Sequence, residues 1–322
     1  MSTPHSLPRR TLLQLAGSSL LLHGSAGQTS HGAAPETLQS WKMGLIADLH
    51  YGLAPDALPR LEQFMQAVES DAPDCILQLG DFNFGVDATD CMDLWQQFPG
   101  AKYHVLGNHD MDKVTKQEIV DHWEMPNNFY SFDHRGWHFI VLDRNHLRPH
   151  PASYIDYGKA NFYVDSQLRG FADPEQLDWL REDLERTSLP TVVFAHQGLG
   201  MEASLAPESA SGAIESILEA AKTDSGAKVK ACFCGHHHLD RYQLRGGIHY
   251  VWINSASYYW VGNAYGRMAA YTDPLYTFLT FRSDQSIEIR GSQSTWASPS
   301  PQERGFPKWS ELGTEIVERR LG

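Results

Sequence analysis

The stretch YHVLGNHD, residues 103–110, decides the fold: a short apolar run, Tyr103–Leu106, stops abruptly at Gly107-Asn108-His109-Asp110. A run of that length bounded by glycine is a buried strand, and the residues just past its end are metal-ligand and acid–base types. Four further stretches have the same form. Met43–Ala47 is followed by Asp48 and His50, Cys75–Leu79 by Asp81, Thr191–Ala195 by His196, and Val229–Cys234 by His236, His237 and His238. Open α/β sheets place ligands at the carboxyl ends of their strands. Five strand ends carrying carboxylate, amide and imidazole donors predict one metal centre gathered from distant parts of the chain.

The chain has 322 residues, 42% of them hydrophobic, enough for one large α/β domain with a sizeable core. Its formal net charge of −13 repels the phosphate backbone, and no Lys/Arg cluster offsets it, so polymeric nucleic acid is excluded as a partner. Cys75, Cys232 and Cys234 fall inside the expected strands and Cys91 in a helix, where thiols serve as small apolar residues rather than as a zinc knuckle, redox pair or disulfide.

Residues 1–27 have the form of an export signal: Arg9 and Arg10 precede Leu12 and Leu13, an apolar stretch runs to Leu22, and small residues follow at 24–27. The arginine pair suits a twin-arginine signal, and an ordinary secretory signal is the alternative. Both predict export, here to the periplasm. Gln14, Gly17, Ser18 and Ser19 interrupt a run already too short to span a bilayer, so stable membrane insertion is not expected. Residues 28–40 are a polar leader, 41–295 the catalytic domain and 296–322 a C-terminal tail.

Within the domain, Leu58, Leu61, Phe64, Met65 and Val68 recur at helical spacing, Thr115 and Glu118 form a capping-box pattern, and Asp173-Pro174 opens a helix bearing Leu177, Leu180 and Leu184. Phe129–Phe132 and Trp137–Leu142 predict a hairpin, and Tyr250–Ser257, Leu275–Arg282 and Ile287–Arg290 further strands. The insertion 144–171 shows no period. It holds Tyr154, Tyr157, Phe162 and Tyr163 beside Arg148, Lys159 and Arg169, which suits either a lid that stacks part of a substrate and holds a second phosphate, or a loop packed on its own aromatics.

Taken in order, Asp48-x-His50, Gly80-Asp81, Gly107-Asn108-His109-Asp110, His196 and Gly235-His236-x-His238 resemble the calcineurin-like metallophosphoesterase superfamily over about residues 43–260. The resemblance implies a four-layer sandwich of two mixed β-sheets flanked by α-helices. It also implies two metals: Asp48, His50 and His238 on the first, Asn108, His196 and His236 on the second, and Asp81 bridging them. Such a donor set suits Fe, Mn or Zn and is too rich in nitrogen for Ca or Mg. His236 and His238 are expected on one side of an extended segment, with His237 turned away.

Two dications sharing Asp81 would lower the pKa of a bridging water, providing hydroxide for in-line attack, while His109 above the phosphate stabilises charge or protonates the leaving oxygen. Asp110 is expected to orient an imidazole. For any one of the 16 histidines a packed or surface side chain is the default; the motif order sets these apart. Phe84 stands where the purple acid phosphatase branch has a tyrosine, and Phe84-Gly85 where the protein phosphatases have Asp-Arg, so no acidic partner for His109 is evident. The first and last motifs are nearer to cyclic nucleotide phosphodiesterases and manganese-dependent nucleotide diphosphatases. The expectation is therefore a binuclear phosphoesterase for small phosphodiesters or nucleotide diphosphates, with a phosphomonoesterase of the same fold or a catalytically silent metal-binding scaffold as alternatives.

Overall fold

The computed structural model describes residues 40–85, 89–200, 210–260 and 268–322; residues 1–27, the expected export signal, and residues 28–39 of the expected leader lie outside them. Two six-stranded mixed sheets carry the fold. The first runs Arg319–Leu321, Ile287–Gly291, Thr277–Phe281, Trp41–Ile46, Cys75–Gln78, Ala101–His104, and its last three strands are parallel. The second runs Arg241–Arg245, Ile248–Trp252, Val229–Cys234, Thr191–Ala195, Trp137–Leu142, Tyr130–His134, with the four central strands parallel. All five expected site strands are in these parallel runs, so their carboxyl ends within each sheet fall on one edge.

Side-chain alternation builds the layers. Phe139, Val141, Phe194 and Phe233 point into the core shared with Met43, Leu45, Leu279 and Phe281 of the other sheet. Phe139 meets Phe281 across the sandwich with ring centroids 5.3 Å apart. Their neighbours Ile140, Leu142, Val193, Ala195, Cys232 and Cys234 point the other way, onto Leu180 and Leu184 of helix Pro174–Arg186 and Ile214 and Leu218 of helix Gly212–Ala220. Strands buried on both faces read as unbroken apolar runs, which is why they stand out in the sequence. On the outer side of the first sheet, Phe64 of helix Ala57–Asp71 would lie 3.4 Å from a Cβ at Gly44, close enough that the helix seats directly on the strand. The four layers match the expected architecture. All four cysteines are free and buried.

The expected caps are in place. Thr115 and Glu118 form a reciprocal capping box, and Asp173 accepts the Gln176 amide at 2.8 Å. Two expectations about irregular segments need correction. The insertion 144–171 contains an antiparallel pair, His146–His150 with Ser153–Asp156, which Pro149 and its polar neighbours conceal from any alternation test. The segment 296–322 is no free tail: Ile316 is buried and Arg319–Leu321 pairs with Ile287–Ile289 at the sheet edge. No helix among the described residues is long and apolar enough to cross a membrane.

A histidine remote from the strand ends ties the second sheet to its helix. His138 has Asp133 Oδ1 2.6 Å from Nδ1 and Asp183 Oδ2 2.8 Å from Nε2. Burial would lower its pKa, but hydrogen bonds to the Asp183 and Asp133 carboxylates outweigh burial and raise it. Because the folded value then exceeds the unfolded one, the imidazolium stabilises the fold below about pH 6.5 and this contribution is lost as pH rises through the folded value. His138→Gln should therefore depress Tm more at pH 6 than at pH 9. A deficit equal at both pH values, measured by thermal unfolding, would rule out the charged pairing.

Candidate metal centre

Where the site strands end, the backbone turns into the left-handed region: Asp48 has φ 54°, His50 55°, Asp81 49°, His236 68° and His238 52°. Each such turn costs an L-residue on the order of 1–3 kcal/mol and persists where surroundings over-determine it. The extended segment expected at 236–238 is therefore replaced by two left-handed turns, which bring His236 and His238 to the centre by twisting the chain rather than by alternation. The motif glycines make the close approach possible. A Cβ at Gly107 would fall 2.0 Å from the Asp81 amide nitrogen, and one at Gly80 would fall 2.6 Å from His196 Nδ1.

The side chains converge as two triads, Asp48 with His50 and His238, and Asp81 with His196 and His236, each with its ligand atoms within 4.8 Å of one another. In the first, Nε2 of His50 and of His238 lie 3.0 Å apart, and Asp48 Oδ1 is 3.2 Å from His238 Nε2. In the second, His236 Nδ1 is 3.3 Å from His196 Nε2. Asp81 Oδ2 stands 3.1 Å from His196 Nε2 of its own triad and 3.8 Å from His50 Nε2 of the other.

These atoms fit cations. His238 Nδ1 donates to the Tyr258 carbonyl at 2.6 Å and His196 Nδ1 to the Leu79 carbonyl at 2.7 Å, which fixes both tautomers with the Nε2 lone pair inward. The Asn108 side-chain oxygen is buried without a hydrogen-bond partner, a state that ordinarily costs about 1–3 kcal/mol and that a bound cation would relieve. Burial drives His50 and His236 well below the ordinary histidine pKa, so both present neutral nitrogens. At His196 burial also lowers the pKa, yet the carboxylates of Asp81 and Asp48 prevail and hold it at about 9, so a cation competes there with a proton.

His109 begins a short 3₁₀ turn, and its amide donates to Asp81 Oδ1 at 2.7 Å. Its Nδ1 lies 2.9 Å from Asp112 Oδ2. The acidic partner absent from positions 84–85 is thus supplied by Asp112, one turn beyond the histidine itself. Burial lowers the His109 pKa, but Asp81 and Asp112 outweigh it and raise the net value. Asp110 does not orient an imidazole. Its carboxylate accepts four backbone N–H groups, from Asp81, Phe82, Asn83 and Gly107 at 2.7–3.1 Å, and so pins the Asp81 loop to the Asn108 loop. His237 joins neither triad. It is exposed at the rim and stacks on Trp252 with ring centroids 3.8 Å apart.

A cavity of about 330 Å³ opens over these groups, lined by Asn108, His109, His236 and His237 on the metal side and by Tyr157, Phe162, Tyr163 and Arg169 of the insertion. Phe162 and Tyr163 sit edge-on and tilted to His109, with centroids 5.8 and 6.2 Å away. Within the insertion Tyr157 and Phe162 are buried and stacked on each other, whereas Tyr163 is half exposed and lines the cavity. A larger cavity of about 890 Å³, along Met65, Leu94 and Phe98, holds none of the candidate residues.

A two-sheet sandwich that gathers Asp, Asn and His at one strand edge defines a metal-dependent phosphoric ester hydrolase. The model of the calcineurin-like phosphoesterases matches residues 42–240, more than half of the chain, and the protein belongs to that family. A manganese-dependent ADP-ribose/CDP-alcohol diphosphatase from Oryza sativa subsp. japonica is 25% identical, over 76% of this chain and 92% of that protein. Among solved structures, a dimetal phosphatase from Danio rerio has a TM-score of 0.61 at 14% identity, covering 87% of this chain and 98% of that one. The anchor in the inner membrane complex of Plasmodium has a TM-score of 0.55 at 12% identity, covering 88% and 89%. An anchor and a phosphatase share the fold, so the activity must be argued from the site.

Proposed function

We propose that the protein hydrolyses small phosphodiesters or nucleotide diphosphates with two transition metals, Fe, Mn or Zn. Asp48, His50 and His238 would hold one, Asn108, His196 and His236 the other, and Asp81 both. The observation that carries this reading is the position of the Asp81 carboxylate, 3.1 Å from His196 of its own triad and 3.8 Å from His50 of the other. Bound there, two cations would lower the pKa of a water and offset the charge on the phosphoryl oxygens.

The chain's own residues do the rest. Asp112 takes Nδ1 of His109, leaving Nε2 to donate to the phosphoryl group or to the departing oxygen, and the upward shift of its pKa favours the protonated ring. Asp110 holds the Asp81 and Gly107 amides so that both loops keep their spacing through the reaction. Phe162 and Tyr163 of the insertion shield the His109 ring from water. The diphosphatase named among the relatives supports the diphosphate side of this reading and manganese as a first metal to try. A silent scaffold is disfavoured because every expected ligand and His109, with its carboxylate partner, are present.

The test is hydrolysis of an aryl monoester, bis(p-nitrophenyl) phosphate and a nucleotide diphosphate ester after stripping metals and adding back Mn, Zn or Fe. Diester or diphosphate turnover that needs added metal is expected. Turnover of the monoester alone would assign a phosphomonoesterase, and metal binding without any turnover would assign a scaffold. Export to the periplasm through residues 1–27 belongs to the same reading, and Arg9→Lys with Arg10→Lys should retain the protein in the cytoplasm on fractionation.

A further inference from the structure

The insertion brings three basic residues near the site, and the structure separates them. Arg148 lies over the rings of Tyr154 and Phe171, 5.8 and 5.3 Å from their centroids, and Lys159 is exposed outside the cavity lining. Arg169 alone of the three lines the cavity that also holds Asn108, His109 and His236. Among the described residues its guanidinium makes one hydrogen bond, from Nη1 to the Phe162 carbonyl, long at 3.4 Å, and no carboxylate lies within ion-pair reach. Ser166, three residues before it, lines the same cavity.

The charge of this cavity runs against that of the whole protein. In a chain of formal net charge −13, the described lining contains two arginines and three histidines and no Asp or Glu. Arg144 is committed to structure, bonding the carbonyls of Gly170 at 3.0 Å and Gln197 at 3.1 Å, and so leaves Arg169 as the guanidinium with donors to spare. A guanidinium at a water-accessible wall, sharing the cavity with Ser166 and with no carboxylate among the described lining residues, is suited to the forked recognition of a phosphoryl group.

We propose that Arg169 with Ser166 forms a second anion subsite beside the metal centre, one that takes the phosphoryl group adjacent to the one being hydrolysed. The substrate class this selects is a diphosphate diester over a simple phosphodiester. The inference rests on the proposed phosphoesterase reading and narrows it. His109 and Arg169 line one cavity of about 330 Å³, near the lower end of ordinary ligand pockets, so a ligand with one phosphoryl group over His109 and its neighbour on Arg169 would leave its organic substituents toward the open mouth.

The test uses the metal-replete protein, Arg169→Gln and Arg169→Lys, and two readouts. In equilibrium binding, the parent should prefer a nucleoside α,β-methylene diphosphate over the matching monophosphate by about tenfold or more, as expected for a charge-assisted pair, and Arg169→Gln should remove the preference. Arg169→Lys should restore part of it, since a lysine supplies the charge without the fork. In turnover, Arg169→Gln should raise KM for a nucleotide diphosphate ester about tenfold more than KM for bis(p-nitrophenyl) phosphate. A parent without the binding preference, or a preference that survives in Arg169→Gln, overturns the subsite. So does an equal rise in both KM values with a fall in Tm, which would make Arg169 a structural residue of the insertion. A parent that shows the preference but hydrolyses neither ester would overturn the proposed activity and leave the subsite standing.

Discussion

Asp81→Ala is expected to empty both metal positions and to lower hydrolysis by more than about 10³-fold, because the Lewis-acid and charge-neutralising contributions disappear together. The geometry sets the size of this effect. Oδ2 is shared by His196 at 3.1 Å and His50 at 3.8 Å, while Oδ1 receives the His109 amide at 2.7 Å, so one truncation strips a donor from each triad and unpins the turn that carries His109. Removing the carboxylate also takes away the group that most strongly keeps His196 protonated, but a neutral His196 without a bridging anion is a poorer cation site than the intact pair. Asp81→Asn separates the two functions, since an amide oxygen still accepts the His109 N–H but no longer carries charge. It should lose metal nearly as far as the alanine variant while keeping more of its thermal stability. Metal content by mass spectrometry on the purified variants decides the matter: two metals per chain in Asp81→Ala would remove Asp81 from the shared position.

The triads were legible in the sequence because each ligand stands at the end of a strand buried on both faces, and such strands are short unbroken apolar runs. Met43, Leu45, Val193 and Phe233 mark those runs whatever layer they face. What lay hidden depends on local geometry that residue types do not encode. Asp112 is one of many carboxylates three positions from a histidine, and only the 3₁₀ turn at His109–Met111 brings it to Nδ1. Asp110 belongs to the same motif as the ligands, yet its use, four backbone amides held at once, follows from where the Asp81 and Gly107 loops pass each other. The paired left-handed turns at 48 and 50 and again at 236 and 238 are uncommon for any residue but glycine, though aspartate and histidine enter that region more readily than most, and residue type alone does not say where they fall. In the insertion, the solvated strands around Pro149 carry no alternation, and nothing in the composition distinguishes Arg169, which reaches the cavity, from Arg148, which packs on Tyr154 and Phe171.

His109→Ala should keep both metals and lose about 10²–10⁴-fold in rate, the range for a general acid–base group. Metal retention is expected because the imidazole belongs to neither triad, and because the hydrogen bond to Asp81 comes from the backbone amide, which alanine preserves. The loss should depend on the leaving group. An aryl oxide departs without a proton and an alkoxide does not, so a protonating His109 predicts a small deficit on an aryl ester and a large one on an alkyl ester. Equal deficits would instead assign the imidazole to charge stabilisation on the phosphoryl oxygens. Asp112→Asn supplies an independent reading. Its carboxylate is one of the two that outweigh burial and raise the His109 pKa, so its loss must lower that pKa and move the alkaline limb of kcat/KM to lower pH, with the alkyl ester again more affected. A variant whose rate falls with no displacement of that limb would show that Asp112 only holds the ring in place, and a His109→Ala protein that loses a metal would put His109 among the ligands.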